Sequence, residues 1–133
     1  MAVRSMFTST VRQYLAVVVL GFGALALPRT AHAEITLLMV EEVGCIWCAR
    51  WHADVGPEYP ITPEGLAAPL RTILIGDPQL DALTLTSTPV YTPTFLLLDG
   101  TREIGRIEGY PGEEFFWGFL GRLLDRAEPG WSQ

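Results

Sequence analysis

Cys45 and Cys48 are the only thiols in the chain, and they stand three positions apart in Gly44-Cys45-Ile46-Trp47-Cys48. Thiols at this spacing exchange disulfides, hold a soft metal ion, or form a structural bridge. Their flanks bear on the choice. The apolar run at 35–40 (ITLLMV) predicts a strand buried on both faces. After a turn at 41–44, no proline occurs from Cys45 until Pro57, which predicts a helix of about three turns ended by Gly56-Pro57. A cysteine that opens a helix has backbone N–H groups and the positive end of the dipole facing its sulfur. Both lower the thiol pKa from about 8.5 toward neutral and produce a nucleophilic thiolate. Cys48, one turn on and on the same face, is placed to attack a mixed disulfide at Cys45 and release the product. So short a loop removes little chain entropy, so the bridge is a poor staple.

Metal binding is the second reading. Two cysteines make half of a structural zinc site. His52 lies one turn past Cys48, so Cys45, Cys48 and His52 form a conceivable set for a soft ion such as copper(I). Haem attachment is excluded, because residue 49 is alanine where that motif needs histidine. A redox sensor that turns nothing over is a third reading. Trp47, between the cysteines, is expected beside the sulfur and partly exposed, as an apolar docking surface; Trp51 is expected in the core.

The elements that must position this pair alternate. Thr62-Pro63-Glu64 opens a short helix that Pro69 stops, 72–75 (TILI) reads as a strand, and Asp77-Pro78 opens a short helical stretch. A threonine-rich loop at 84–92 leads to a strand at 94–98. Asp99-Gly100 predicts a hairpin into a strand at 103–107, with a bulge or close backbone approach at Gly105. Gly109-Tyr110-Pro111-Gly112 is a turn. A closing helix at 113–126 has acids in its first turn and arginines in its last, with Phe115, Phe116, Phe119, Leu120, Leu123 and Leu124 as its expected buried stripe.

Composition narrows the classes. The 133 residues suit one domain, and 49% apolar with 18% charged residues is too hydrophobic for disorder. The net charge of −6 argues against nucleic acid, and there is no lysine, which removes P-loop and Schiff-base chemistry. The first 33 residues read as a secretory signal: Arg4 and Arg12, an apolar run at 15–27, then Ala31-His32-Ala33. That run falls short of the roughly 20 residues of a spanning helix. Cleavage before Glu34 leaves a domain at 34–133 with six arginines against fifteen carboxylates, bound for a periplasm that permits disulfides.

Strand, CxxC and helix, then Thr92-Pro93-Thr94-Phe95, the Asp99-Gly100 hairpin and Ile104-Gly105-Arg106-Ile107-Glu108-Gly109, together resemble the thioredoxin superfamily over nearly all of 34–133. Within it, CARWHADVGPEYP and GRIEGYPGEEFFWGFL resemble the small exported proteins of bacterial sulfur-oxidation clusters, the SoxS type. The resemblance implies an α/β thioredoxin-like fold, with a central mixed four-stranded sheet flanked by helices in a single domain. It implies that Cys45 attacks, Cys48 resolves, and Pro93 is a cis-proline against the disulfide. Thr92 would offer its backbone to an extended substrate segment, and Gly109 would leave room for it. It implies no cofactor. The partners it implies are a client protein with a disulfide or reactive cysteine, such as a sulfur carrier, and a membrane thiol transporter as electron donor. A monomer suffices. The chain also departs from the family: Met39 replaces its buried aspartate, and Glu41 and Gly44 replace its tryptophans. The proton acceptor for Cys48 is therefore open among His52, Glu41, Glu42 and water.

Overall fold

A computed structural model of the chain describes residues 34–131. The secretory signal expected at residues 1–33 lies outside the described residues. Four strands are β1 (Ile35–Glu41), β2 (Leu70–Leu74), β3 (Thr94–Asp99) and β4 (Arg102–Glu108). Three α-helices are α1 (Ile46–Asp54), α2 (Pro63–Ala67) and α3 (Glu113–Ala127), with 3-10 turns at Tyr59–Ile61 and Pro78–Ala82. The sheet order is β2-β1-β3-β4. β1 and β2 are parallel and the other two pairs antiparallel, so the sheet is mixed as expected.

The continuous apolar runs place these strands in the middle. Side chains alternate between faces along a strand, and β1 divides accordingly. Leu37 and Met39 enter one core cluster with Cys48, Trp51, Phe95, Phe116 and Leu120. Leu38 and Val40 enter a second with Leu80, Leu96 and Leu98. The first face is covered by α1, α2 and α3. On the second, the packed residues outside the strands come from the Pro78–Ala82 turn and the chain on either side of it.

Three expectations need correction. β2 begins at Leu70, two residues before the apolar TILI segment, because Leu70 already pairs with Leu37. It is an edge strand, and its ladder continues through the exposed Arg71 and Thr72. α1 is shorter than three turns and ends at Asp54, with the Val55 and Gly56 N–H groups both donating to the Trp51 carbonyl. On α3, Phe116, Leu120, Leu123 and Leu124 are buried, but Phe115 and Phe119 are 63% and 38% exposed. The core sees the 116-120-123-124 stripe, and 115 and 119 lie about 100° around the helix from 116 and 120. Arg122 stacks on the Phe119 ring at 4.8 Å instead.

Of the two alternatives expected at Gly105, the bulge is present, one residue earlier. The β3–β4 register shifts between Leu97 and Leu98, leaving Ile104 as the extra residue. A Cβ on Gly105 would stand 2.5 Å from Leu123 Cδ2, so a larger residue there would displace the end of that α3 side chain.

An ion pair fixes the loop that leads into β3. Arg106 donates to Glu103 at 2.6 and 2.7 Å and to the Ser87 carbonyl at 2.7 Å. Glu103 accepts the Thr86 N–H at 2.8 Å. Burial works to raise the Glu103 pKa. The bonds from Arg106 and Thr86, with the guanidinium charge, outweigh it and hold the carboxyl below the usual glutamate range.

Candidate functional site

β1 ends at Glu41, and a four-residue turn delivers Cys45 as the N-cap of α1. The Cys48 N–H donates to Cys45 Sγ at 3.1 Å. The cap position that serine or aspartate usually fills is thus taken by a sulfur. The first turn of α1 carries no acid to oppose the dipole there. Cys45 and Cys48 are joined as a disulfide, with their Cα atoms 5.3 Å apart. Cys45 is half-buried, while Cys48 is only 3% exposed. The attacking position is thus open to a partner and the resolving position closed, as the exchange chemistry requires.

A cleft of about 490 Å³ opens beside the pair, lined by Glu41, Glu42, Cys45, Cys48 and His52 among others. His52 Nε2 lies 2.7 Å from Glu41 Oε2. His52 is therefore paired with a carboxylate rather than aimed with both sulfurs at a common point. Among the described residues, no three His, Cys, Asp or Glu side chains converge as metal ligands. Met39 is fully buried and apolar, so the core beneath Cys48 gains no acceptor from that position.

The other expected residues gather on a second side. Thr94 opens β3 opposite Val40 and also pairs with Glu108. The register therefore puts Thr92, Pro93 and Gly109 at the same end of the sheet as Glu41 and the CxxC turn. The Thr92-Pro93 peptide is cis. The Gly109 N–H donates to the Pro93 carbonyl at 2.7 Å, and Thr94 Oγ1 donates to Tyr91 O at 2.7 Å. Gly109 has φ +80° and open space where a Cβ would be. Turn geometry alone demands glycine there, and the space is also free for a ligand.

Trp47 stands on the exposed side of α1, 54% accessible, and does not line the cleft. Trp51 is fully buried, edge-on to His52 at 5.3 Å. Sequence reasoning missed what surrounds Trp47. The Arg50 guanidinium lies over its ring at 5.9 Å, Asp54 is 3.7 Å from Arg50, and Tyr110 Oη donates to Asp54 at 3.1 Å. Burial and then Asp54 push the Tyr110 hydroxyl up to about 12. The four-residue spacing of Arg50 and Asp54 was a legible signal; a bond across 56 positions was not. Val43, Ile46, Val90 and Tyr91 are also exposed apolar or aromatic side chains.

An N-capping cysteine disulfide-bonded one turn down its helix, at the sheet end where a cis-proline loop begins, defines a thioredoxin-like thiol–disulfide oxidoreductase. No protein-family model matches the chain, and no curated protein matches it. Among solved structures, the periplasmic thioredoxin SoxS from Paracoccus pantotrophus, in its reduced form, is 50% identical with a TM-score of 0.69. That match covers 71% of this chain and 100% of that one. The chain belongs to the SoxS-type thioredoxin-like proteins.

Proposed function

We propose that the protein is a periplasmic reductant that cleaves a client disulfide by CxxC exchange. The observation that carries this reading is the cap of α1: a half-buried Cys45 sulfur that accepts the Cys48 N–H. In the reduced protein the same end of the helix favours the Cys45 thiolate. Cys45 attacks the client disulfide and one client thiolate leaves. Cys48 then attacks Cys45 Sγ, the mixed disulfide breaks, and the second client sulfur departs as the intramolecular disulfide closes.

The client segment lies extended across Thr92 and Pro93, whose main chain pairs with it as an added strand. Gly109 leaves space beside it, and Trp47 supplies apolar contact. Residues 1–33 direct export and are removed, leaving 34–133 as the working domain. The client is a protein with a disulfide or a reactive cysteine. The relationship to a periplasmic thioredoxin SoxS makes a sulfur-carrier protein of a sulfur-oxidation system the first candidate. A reductant in an oxidising compartment must be recharged, and a membrane thiol transporter is the donor class that fits. The test is a Cys48→Ser variant expressed with residues 1–33 intact. It is expected to accumulate in the periplasm as a mixed disulfide with its client through Cys45, because resolution is removed. Recovery without a disulfide-linked partner would overturn the reading.

A further inference from the structure

Cys48 has a proton to lose before it can resolve anything, and its surroundings oppose the loss. It is 3% exposed within a cluster that includes Met39, Trp51 and Phe95. Apolar burial favours the neutral thiol over the thiolate. The core supplies no carboxylate at Met39. On the cleft side, however, His52 follows Cys48 by one helical turn and shares the cleft with both sulfurs. It is the one histidine among the described residues.

We infer that His52 is the proton acceptor for Cys48 in the resolving step, with Glu41 as its positioning residue. The geometry sets the roles of the two nitrogens. The Glu41 carboxylate, 2.7 Å away, can only accept, so Nε2 carries the hydrogen and donates it. The lone pair then resides on Nδ1, the nitrogen that the Glu41 contact leaves unprotonated. Histidine held in one tautomer by a carboxylate is the arrangement of a general base. The neighbouring groups are consistent with this use. Glu41 ends β1, Glu42 lines the cleft from the following turn, and Arg71 of β2 lies beyond Glu41 in the adjoining groove. From α1 the Trp51 ring meets the imidazole edge-on and brings no charge.

The step balances. The Cys48 S–H proton passes to Nδ1, directly or through one water in the cleft. The Cys48 sulfur attacks Cys45 Sγ, the client–Cys45 bond breaks, and the client thiolate carries away the electron pair. The imidazolium then returns its proton to solvent, since His52 is exposed. The alternative is a surface ion pair with no part in the reaction, a kind that contributes little to stability.

This inference rests on the exchange reading, and one experiment separates their failures. Reduced protein is mixed in a stopped-flow instrument with the aryl disulfide dithiobis(nitrobenzoate). Attack by Cys45 releases one thionitrobenzoate and resolution by Cys48 releases the second, so the two steps appear as two phases. In His52→Gln the first phase is expected to stay within about twofold of wild type. The second is expected to slow by roughly a hundredfold near neutral pH, the low side of what a positioned base contributes. The shortfall is expected to shrink as pH rises beyond the ordinary thiol pKa of about 8.5, where hydroxide increasingly takes the proton in place of the base. Glu41→Gln should slow the same phase less, and added imidazole should restore part of it in His52→Ala. A second phase unchanged in His52→Gln, or slowed equally at every pH, would overturn the relay and leave the exchange reading intact. A wild-type protein that never releases the second thionitrobenzoate would overturn both.

Discussion

The two sides of the Cys45–Cys48 bridge are built from different materials. On one side is a cleft with titratable walls, where Glu41 and His52 hold each other at 2.7 Å. On the other are main chain and apolar surface: the cis Thr92-Pro93 peptide, the open space above Gly109, and Trp47. The first side holds the titratable pair, and the exposed Val43 and Ile46 line it as well. The second is the side proposed to take the client segment and, at Thr92, Pro93 and Gly109, has no side chain that titrates near neutrality. One short helix serves both sides. Its N-cap and first turn carry the sulfurs, His52 follows on the cleft side, and Arg50 and Trp47 lie toward solvent.

The largest effect tests whether both sides depend on the same sulfur. Cys45→Ser should abolish reduction of a disulfide substrate completely, whether a protein or a small aryl disulfide. Measurable turnover of either by this variant would separate the site from the bridge.

Next in size is the anchor of the loop that leads into β3. Arg106→Ala leaves Glu103, whose side chain is 3% exposed, without its partner and frees the Thr86–Ser87 segment. Removing one member of a buried pair costs about 3 kcal/mol or more, so chemical denaturation should show a loss of that order. The pH dependence has a definite sign. A carboxyl depressed in the folded state contributes stability above its unfolded pKa, about 4.3, and loses that contribution as pH falls through the folded value. The wild-type Tm should therefore fall in that acid window, and the Arg106→Ala Tm should fall less over the same window.

A smaller effect separates grip from chemistry. Trp47→Ala should weaken the reaction with a protein client by about 1–2 kcal/mol, as an exposed aromatic anchor does. Reduction of a small aryl disulfide should be nearly unchanged. Equal losses on both substrates would move Trp47 from docking to the reacting centre. Smallest of all, Arg50→Ala should cost less than about 1 kcal/mol in stability, since its pairing with Asp54 is exposed. Its effect on the protein client should follow that of Trp47 at reduced size.

What could be read from residue order and what could not divide along physical lines. The apolar runs at β1 and β3 are long and unbroken, so their burial on both faces was legible. So were the Asp99-Gly100 hairpin and the cysteine at a helix start, because local chemistry decides them. The stripe on α3 is narrower than its apolar composition predicts, because composition does not set orientation. Phe115 and Phe119 are aromatic, yet they point away from the sheet. β2 slipped by two residues because an edge strand is fixed by backbone pairing with β1 more than by its own side chains. At the site, the cysteines and the candidates Glu41 and His52 were visible, but their 2.7 Å contact was not. It joins a strand end to a helix eleven positions later, and only the fold sets that distance. The same holds for Arg106, whose neighbours Thr86 and Ser87 lie in a loop with no periodicity to read.

The central claim is that the Cys45–Cys48 pair gives electrons to a client rather than taking them. The most direct measurement is the reduction potential of the 34–133 domain, equilibrated against glutathione or dithiothreitol with the oxidised fraction read by thiol alkylation. The account predicts a value near thioredoxin's, about −270 mV. A value near about −120 mV, that of a strong disulfide donor, would contradict it.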